Sequence, residues 1–276
     1  MKVCAIDLKE NYPFLQGGKL ECLFMDRPFH VEREWKRPAV IVVPGGGYWH
    51  VSPSEGDPIA SAFIALGFHT FVLKYLCAPE GVHYPEQLLE IAAAADYIRK
   101  HAEEYNVNGK EIFVVGFSAG GHLAANLSVS YDLASKLAGV SLDCKPTAVG
   151  LSYPVIAYNY GHTDSFNNLL QGYSEEERKE LLPQVNLDTL VTADTPPTFI
   201  WCTAEDIIVP PENTIRHTLA LMKAGVQYES HIYPKGPHGL STSSVEIWPF
   251  AEDIPKVASW IKDCADFFRM YAEEKV

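Results

Sequence analysis

The sequence predicts an α/β fold in which a mostly parallel sheet is covered by helices on both faces. Short apolar runs alternate with longer amphipathic stretches along the 276-residue chain. This alternation is typical of buried parallel strands and their crossover helices. Internal repeats, low-complexity segments and linkers are not apparent, so residues 1–276 are expected to form one large domain.

Seven strands are predicted, the first of them antiparallel. This early strand lies near Leu20–Asp26. The six later runs are apolar and rich in residues that favour strands. They cover Ala39–Val43, His69–Tyr75, Glu111–Gly116, Thr147–Val155, Thr198–Ala204 and Tyr228–Pro234.

Helical stretches alternate with these strands. Asp57–Leu66 is stopped by Gly67, and the stretch from Pro85 to about Tyr105 has proline at its first turn. A third helix is expected from Ser118 to about Ser130. The last runs from Ile254 to Tyr271 and carries its apolar residues along one face.

A polar segment at about residues 156–194 interrupts the alternation. It contains SEEERKELL, in which Ser174 and Glu177 have the spacing of a capping box. A helix is therefore expected inside this insertion. Two interpretations stay open: a surface helix on a loop, or a small cap over a site.

Composition narrows the function classes. Lys and Arg number 22 against 35 Asp and Glu, so the net charge is −13, which disfavours nucleic acid and anionic membranes as partners. No uninterrupted apolar stretch is as long as a membrane span or the core of a signal peptide. Six cysteines lie far apart without a C-x-x-C pair, as expected for reduced thiols in a cytoplasmic protein.

The segment VVGFSAGGHL, Val114–Leu123, predicts a nucleophilic serine. A buried strand ends at Gly116, Ser118 stands among small residues, and a helix follows, which is the context that gives G-x-S-x-G its meaning. The helix directs its amide dipoles to the place where an oxyanion would form. The alternative is a glycine-rich turn with an ordinary serine.

A serine needs a base to accept its proton, and His238 is the best candidate. In an α/β-hydrolase the base follows the serine and the acid along the chain, after a strand. His238 lies in the loop YPKGPHGLS directly after the last predicted strand. By contrast, His162 lies in the insertion, His217 in a helix and His231 inside a strand.

The acid that orients the histidine is expected after the preceding strand. TFIWCTAEDIIVPPENT offers Glu205 and Asp206 there. Asp206 begins a D-x-x-V-P loop and is the first choice, with the role of fixing the imidazole tautomer and stabilising the imidazolium. Glu205 remains the alternative.

The oxyanion hole needs backbone N–H donors. One is Ala119, the residue after the serine. The loop VVPGGGYWH supplies Gly45, Gly46 and Gly47 after a strand, and among these three the sequence does not decide. Gly46 is the first choice, with Gly47 beside it.

These motifs together resemble the acetyl esterase/lipase group of α/β-hydrolases, near the hormone-sensitive-lipase-like esterases. The resemblance rests on PGGGYWHVSPSEGDPIA, FVLKY, GFSAGGHLA, DIIVP and GPHG, which run in order from Pro44 to Gly239. It implies the α/β-hydrolase fold. Enzymes with similar motifs remove acetyl or feruloyl groups from plant-polysaccharide sugars.

Two departures from the family pattern matter. Pro44 stands where the family commonly has a histidine that braces the glycine loop, so the bracing must come from elsewhere. The N-terminal cap helices of the hormone-sensitive-lipase-like enzymes are not apparent, which predicts a more open site. Substrate contacts are expected from Tyr48 and Trp49, with Tyr75 and Tyr158 as further candidates; packing is the alternative role for all four.

The function expected is therefore a serine carboxylesterase of short acyl groups that forms an acyl-enzyme. Its partner would be a small-molecule ester, with an acetylated sugar or oligosaccharide as the favoured class. An amidase or peptidase resembling formamidases or prolyl peptidases is the second hypothesis, and a non-catalytic receptor of hydrolase fold is the third. No metal or other cofactor is implied. α/β-Hydrolases often dimerise through edge strands or terminal helices, so a homodimer is one option.

Overall fold

The computed structural model describes residues 2–28, 30 and 35–272. Its eight strands are β1 (Lys2–Asp7), β2 (Lys19–Phe24), β3 (Arg37–Val43), β4 (His69–Lys74), β5 (Val107–Phe117), β6 (Ala148–Ser152), β7 (Thr198–Thr203) and β8 (Tyr228–Tyr233). They form one sheet in the order β1-β2-β4-β3-β5-β6-β7-β8.

The sheet is mostly parallel, as predicted. β2 pairs antiparallel with both β1 and β4, and every pairing from β4 to β8 is parallel. β3 and β5 are neighbours, with Val43 opposite Gly116 at their carboxyl ends. The loops that follow these two strands therefore leave the same edge of the sheet side by side.

Helices cover both faces of this sheet. They are α1 (Leu8–Asn11), α2 (Asp57–Ala65), α3 (Glu86–Lys100), α4 (Ala119–Ala138), α5 (Thr163–Leu169), α6 (Glu175–Val185), α7 (Glu212–Ala224) and α8 (Trp260–Arg269). Alternate residues of β3 point to opposite faces. Ile41 belongs to a core with Leu88 of α3 and Leu123 of α4, whereas Val42 belongs to a core with Phe63 of α2.

Several boundaries differ from those predicted. β1 was not predicted, because it is a short edge strand whose apolar run, Val3–Ile6, is only four residues long, and Val3 is 68% exposed. α3 ends at Lys100 rather than near Tyr105. α4 continues beyond a kink at Ser130. α8 begins only at Trp260. A helix was expected from Ile254, but the residues just before α8 form a 3-10 turn at Val257–Ser259, and a further 3-10 turn at Ala251–Asp253 precedes Ile254.

The insertion at residues 156–194 contains α5, α6 and a 3-10 turn at Leu187–Thr189. Its capping box is formed as predicted: the Glu177 N–H donates to Ser174 Oγ, and the Ser174 N–H donates to the Glu177 carboxylate. Phe166 and Val185 are buried in the same core as α3 and α4. The insertion therefore packs directly on the helical layer.

None of the helices in the described ranges is both long enough and apolar enough to cross a membrane.

Candidate active site

A cavity of about 380 Å³ lies at the carboxyl edge of the parallel strands. The loops after β3, β5 and β8 contribute to it, as expected for ligand sites in parallel α/β sheets. Eight of its thirteen lining residues carry polar side chains. It is lined by Gly46, Gly47, Trp49, His50, Ser52, Ser54, Glu55, Ser118, His162, Asn168, Ile208, His238 and Gly239.

Ser118 occupies a sharp turn between β5 and α4. Its φ of 52° and ψ of −118° are strained for a residue with a side chain. The turn is tight because the neighbouring chain passes very close: a Cβ on Gly120 would lie 2.2 Å from the carbonyl oxygen of Val43. The glycines around the serine therefore allow its hydroxyl to reach the cavity.

Ser118, His238 and Asp206 form a hydrogen-bonded row. His238 Nε2 lies 2.8 Å from Ser118 Oγ, and His238 Nδ1 lies 2.6 Å from Asp206 Oδ2. The Asp206 side chain is buried, and its other oxygen accepts hydrogen bonds from the backbone N–H groups of Ile208 and Val209. The structure thus brings together the three residues that the sequence singles out.

The other acidic candidate holds a different position. Glu205 accepts a hydrogen bond from the backbone N–H of Gly236, two residues before His238, at 3.0 Å. Its carboxylate contacts the histidine loop, whereas the imidazole itself is bonded to Asp206.

The other histidines downstream of the serine lie apart from this row. His217 is buried in α7, and His231 pairs with Glu229 in β8. His162 lines the cavity from the insertion, where its Nδ1 lies 2.8 Å from Ser165 Oγ. Burial lowers the pKa of His162, and so does the nearby His238.

The glycine loop separates into two parts. The N–H of Gly45 donates to Glu55 Oε2 at 2.8 Å and is therefore committed within the protein. No described residue accepts a hydrogen bond from the N–H of Gly46, Gly47 or Ala119. Of the three glycines, Gly46 and Gly47 thus have uncommitted N–H donors, and both residues line the same cavity as Ser118.

The bracing that Pro44 does not supply comes from residues distant in the sequence. The Tyr75 hydroxyl donates to the carbonyl of Pro44 at 2.8 Å. From the insertion, the Asn168 amide donates to the carbonyl of Gly47 at 2.8 Å. These side chains, with Glu55, hold the loop from three directions.

Of the four aromatic candidates, Trp49 alone belongs to the wall of this cavity. Trp49 lines the cavity and is 57% exposed. The Tyr48 side chain, in contrast, is 1% exposed and lies outside the cavity wall, with its hydroxyl 2.8 Å from Nδ1 of His122 on α4. Its position corresponds to the packing alternative, because burial and a hydrogen-bond partner satisfy both ends of a tyrosine. Tyr75 is likewise buried, and Tyr158 packs on Phe166 of α5.

Among the cavity residues, Glu55 and Asn168 were not singled out from the sequence, and His162 was considered only as an alternative base. Glu55 lies in the 3-10 turn Pro53–Glu55, where an acidic residue before a helix is an ordinary feature of a helix start. His162 and Asn168 come from the insertion. The only signal available for them was the open question of whether that insertion covers a site.

The parallel sheet, the serine at a strand–turn–helix elbow and the row of three side chains define the class of α/β-hydrolases. Within this class the chain belongs to the BD-FAE family, which its residues 26–221 match.

Two curated relatives extend this similarity. The chain is 36% identical to endo-1,4-beta-xylanase B of Butyrivibrio fibrisolvens over 77% of its own length and 34% of the relative. It is 29% identical to an acetylxylan esterase of Xylanibacter ruminicola over 73% of its length and 40% of the relative. The chain thus spans about two-fifths or less of the length of these two relatives.

Solved structures match along nearly the whole chain. An acetyl ester-xyloside bifunctional hydrolase from Caldicellulosiruptor lactoaceticus has a TM-score of 0.81 at 30% identity, covering 97% of this chain and 96% of that one. A carboxylesterase from Lactobacillus plantarum has a TM-score of 0.82 at 25% identity, with full coverage of both chains. These similarities agree with the α/β-hydrolase fold predicted from the sequence.

Proposed function

We propose that residues 1–276 act as one serine carboxylesterase domain, which hydrolyses short acyl esters through an acyl-enzyme intermediate. The observation that carries the proposal is the row Ser118–His238–Asp206 beside loop N–H groups that are not committed to other acceptors. The complete row argues against a receptor that has lost catalysis. Further support comes from relatives that are named as esterases.

In the first half of the proposed reaction, Ser118 Oγ attacks the carbonyl carbon while His238 Nε2 takes its proton. Charge builds on the carbonyl oxygen, and in this proposal it is stabilised by the N–H groups of Gly46, Gly47 and Ala119, which have no acceptor among the described residues. When the tetrahedral intermediate collapses, His238 gives the proton to the leaving alcohol. The acyl group stays on Ser118.

In the second half, water attacks the acyl-enzyme with His238 again as the base. Asp206 keeps the imidazole in the required tautomer, because its Oδ2 accepts from Nδ1 and leaves the Nε2 lone pair facing the serine. The two backbone bonds to the other oxygen of Asp206 hold that carboxylate in place. The products are a carboxylic acid and an alcohol.

We further propose acetyl groups on sugars as the substrate class. The cavity wall combines one exposed aromatic ring, Trp49, with polar side chains such as His50 and Asn168. A sugar presents both a C–H face that packs on an aromatic ring and hydroxyls that hydrogen-bond, so this mixture suits it. The relatives named as acetylxylan esterase and acetyl ester-xyloside hydrolase support the same class.

The esterase proposal is tested with p-nitrophenyl esters from acetate to decanoate. Wild type should be fastest on acetate, and Ser118→Ala should lower kcat by about 10⁴-fold or more, since loss of a serine nucleophile has costs of this order. Ser141→Ala, at an exposed serine, is the matched control and should keep full activity. A flat chain-length profile that survives Ser118→Ala would reject Ser118 as the nucleophile.

The substrate class is tested with an acetylated xylo-oligosaccharide beside p-nitrophenyl acetate. Trp49→Ala should raise KM for the sugar ester about tenfold, which is the scale of one lost aromatic contact, and change KM for p-nitrophenyl acetate little. An equal effect on both esters would argue against sugar stacking on Trp49. Turnover of p-nitroacetanilide with negligible turnover of the matching ester would favour the amidase hypothesis instead.

A further inference from the structure

Glu55 is a buried carboxylate in the wall of the catalytic cavity, and the reaction proposed above gives it no chemical step. It is 4% exposed. Its Oε2 accepts the N–H of Gly45, and its Oε1 accepts the hydroxyl of Tyr153, both at 2.8 Å. Burying a carboxylate is costly unless its oxygens are satisfied. Burial raises the pKa of Glu55, and these two hydrogen bonds oppose that rise.

The bonds of Glu55 continue beyond Tyr153. The Tyr153 hydroxyl also accepts the backbone N–H of Ser241 at 2.9 Å, and the Ser241 hydroxyl donates to the carbonyl of Ser54. Ser241 follows His238 by three residues. These hydrogen bonds form one network that joins the glycine loop, the turn containing Glu55, Tyr153 after β6 and the histidine loop.

This network contacts His238 through Tyr153 and adjoins the proposed oxyanion donors through Gly45. Gly45 immediately precedes Gly46, and a Cβ at Gly45 would lie 2.9 Å from both Glu55 Oε2 and the Ser118 Cβ. The Tyr153 ring lies edge-on to the His238 ring, with centroids 5.0 Å apart. The network thus connects His238, the proposed proton acceptor, with the N–H groups of the glycine loop.

We propose that Glu55 is a positioning residue, which through Gly45 and Tyr153 fixes the oxyanion-binding N–H groups relative to His238. This inference rests on the esterase reaction proposed above. Stabilisation of an oxyanion depends on donors held at the place where charge develops, so a loosened loop weakens the transition state more than the bound ester. Glu55 therefore acts on kcat.

The test is Glu55→Gln, with kcat and KM measured on p-nitrophenyl acetate. The amide nitrogen cannot accept from Gly45, and if it turns to Tyr153 the hydroxyl loses its acceptor instead. We expect kcat to fall about tenfold to a hundredfold with KM changed less than about threefold, as for misplaced oxyanion donors. Affinity for a boronic acid that forms a tetrahedral adduct on Ser118 should fall by a similar factor.

Glu86→Gln is the matched control. Glu86 is also 4% exposed, and its carboxylate accepts the N–H of Gln16 and the side-chain amide of the same residue, away from the cavity wall. It should keep wild-type kcat and boronic acid affinity even where its thermal unfolding midpoint shifts. A Glu55→Gln variant with the kcat of Glu86→Gln, or with a change in KM alone, would overturn the inference.

Tyr153→Phe provides a second route if Glu55→Gln does not fold. It removes the donor to Glu55 and the acceptor of Ser241, so kcat should again fall with KM little changed. Since the two residues belong to one unit, the double variant should lose much less than the product of the single losses; independent losses would overturn the inference. Wild type inactive on all esters would instead refute the proposed function.

Discussion

The serine elbow and the glycine loop are adjacent, follow neighbouring parallel strands and serve the same proposed reaction, yet they are held in different ways. The elbow is fixed by backbone hydrogen bonds to the end of β6 and the loop after it: Ser118 N–H donates to the carbonyl of Ser152, and the carbonyl of Ser118 accepts from Val155 N–H. The glycine loop has backbone bonds as well, such as that from Ser52 N–H to the carbonyl of Gly45. In addition, it is held by three side chains from outside the loop, those of Glu55, Tyr75 and Asn168. The elbow needs only backbone groups from its partners, so its identity is encoded in a short motif. The glycine loop needs particular side chains, and these are spread over the chain.

The largest effect should come from breaking the elbow with Gly120→Ala. The added Cβ would lie 2.2 Å and 2.3 Å from the carbonyl oxygens of Val43 and Pro44, where backbone cannot move away cheaply. We expect a loss of about 3 kcal/mol or more in the free energy of unfolding, at the upper end for overpacked cores. Thermal and denaturant unfolding would measure it.

Gly139→Ala is the control for this substitution. Gly139 ends α4 with a φ of 68°, and a Cβ there meets no atom within 4 Å. Its cost should be only about 1 kcal/mol, from backbone strain alone. Equal costs at the two glycines would contradict the view that close backbone contacts hold the elbow.

The pH dependence of stability tests the link between the loop and α4. His122 Nε2 lies 2.9 Å from the Val185 carbonyl, so it carries the proton, and Nδ1 accepts from Tyr48. Burial lowers the pKa of His122 from 6.5 to about 4. Below pH 6.5 the unfolded chain gains a proton that the folded chain does not, so stability is full above about pH 6.5 and is lost as the pH falls towards 4.

The slope of unfolding free energy against pH would measure this link. Each such histidine contributes at most about 1.4 kcal/mol per pH unit. Burial also lowers the pKa of His69 and His217 to about 4, so His122→Asn should reduce the slope without abolishing it. An unchanged slope would show that His122 is not buried in its neutral form.

The smallest effect should come from Asn168→Ala, which removes one brace from the glycine loop and leaves the elbow intact. We expect kcat on p-nitrophenyl acetate to fall about threefold to tenfold, the equivalent of one net hydrogen bond. The neighbouring Asn167, exposed on the same helix and bonded to Arg178, provides the control Asn167→Ala. Equal kcat values for the two variants would show that the insertion does not hold the loop.

The same contrast explains what could be predicted from the sequence. The strands around Ser118, and the assignment of His238 and Asp206 to loops after strands, follow from local patterns of apolar residues, glycine and proline. The hydrogen bonds of Glu55 to Gly45 and Tyr153 join residues 10 and 98 positions apart. The local pattern of apolar and polar residues does not indicate which distant side chains will form such hydrogen bonds.

Tyr48 shows that a local motif can also suggest a site residue that the fold places elsewhere. Its place in GGGYWH suggested a substrate contact, because aromatic residues beside a reactive loop look like site residues. Its neighbour Trp49 does reach the cavity. Tyr48 instead turns inward with a φ of 58°, towards His122. Which of two adjacent aromatic rings faces the cavity depends on a backbone angle that the sequence alone does not state.

The most direct test of the account is to trap the acyl-enzyme. Wild type mixed with p-nitrophenyl acetate, quenched in acid and digested, should yield one peptide heavier by a single acetyl group, with the modification on Ser118. Ser118→Ala should yield none. An acetyl group on another residue, or steady turnover by Ser118→Ala, would contradict the claim that Ser118 is the nucleophile.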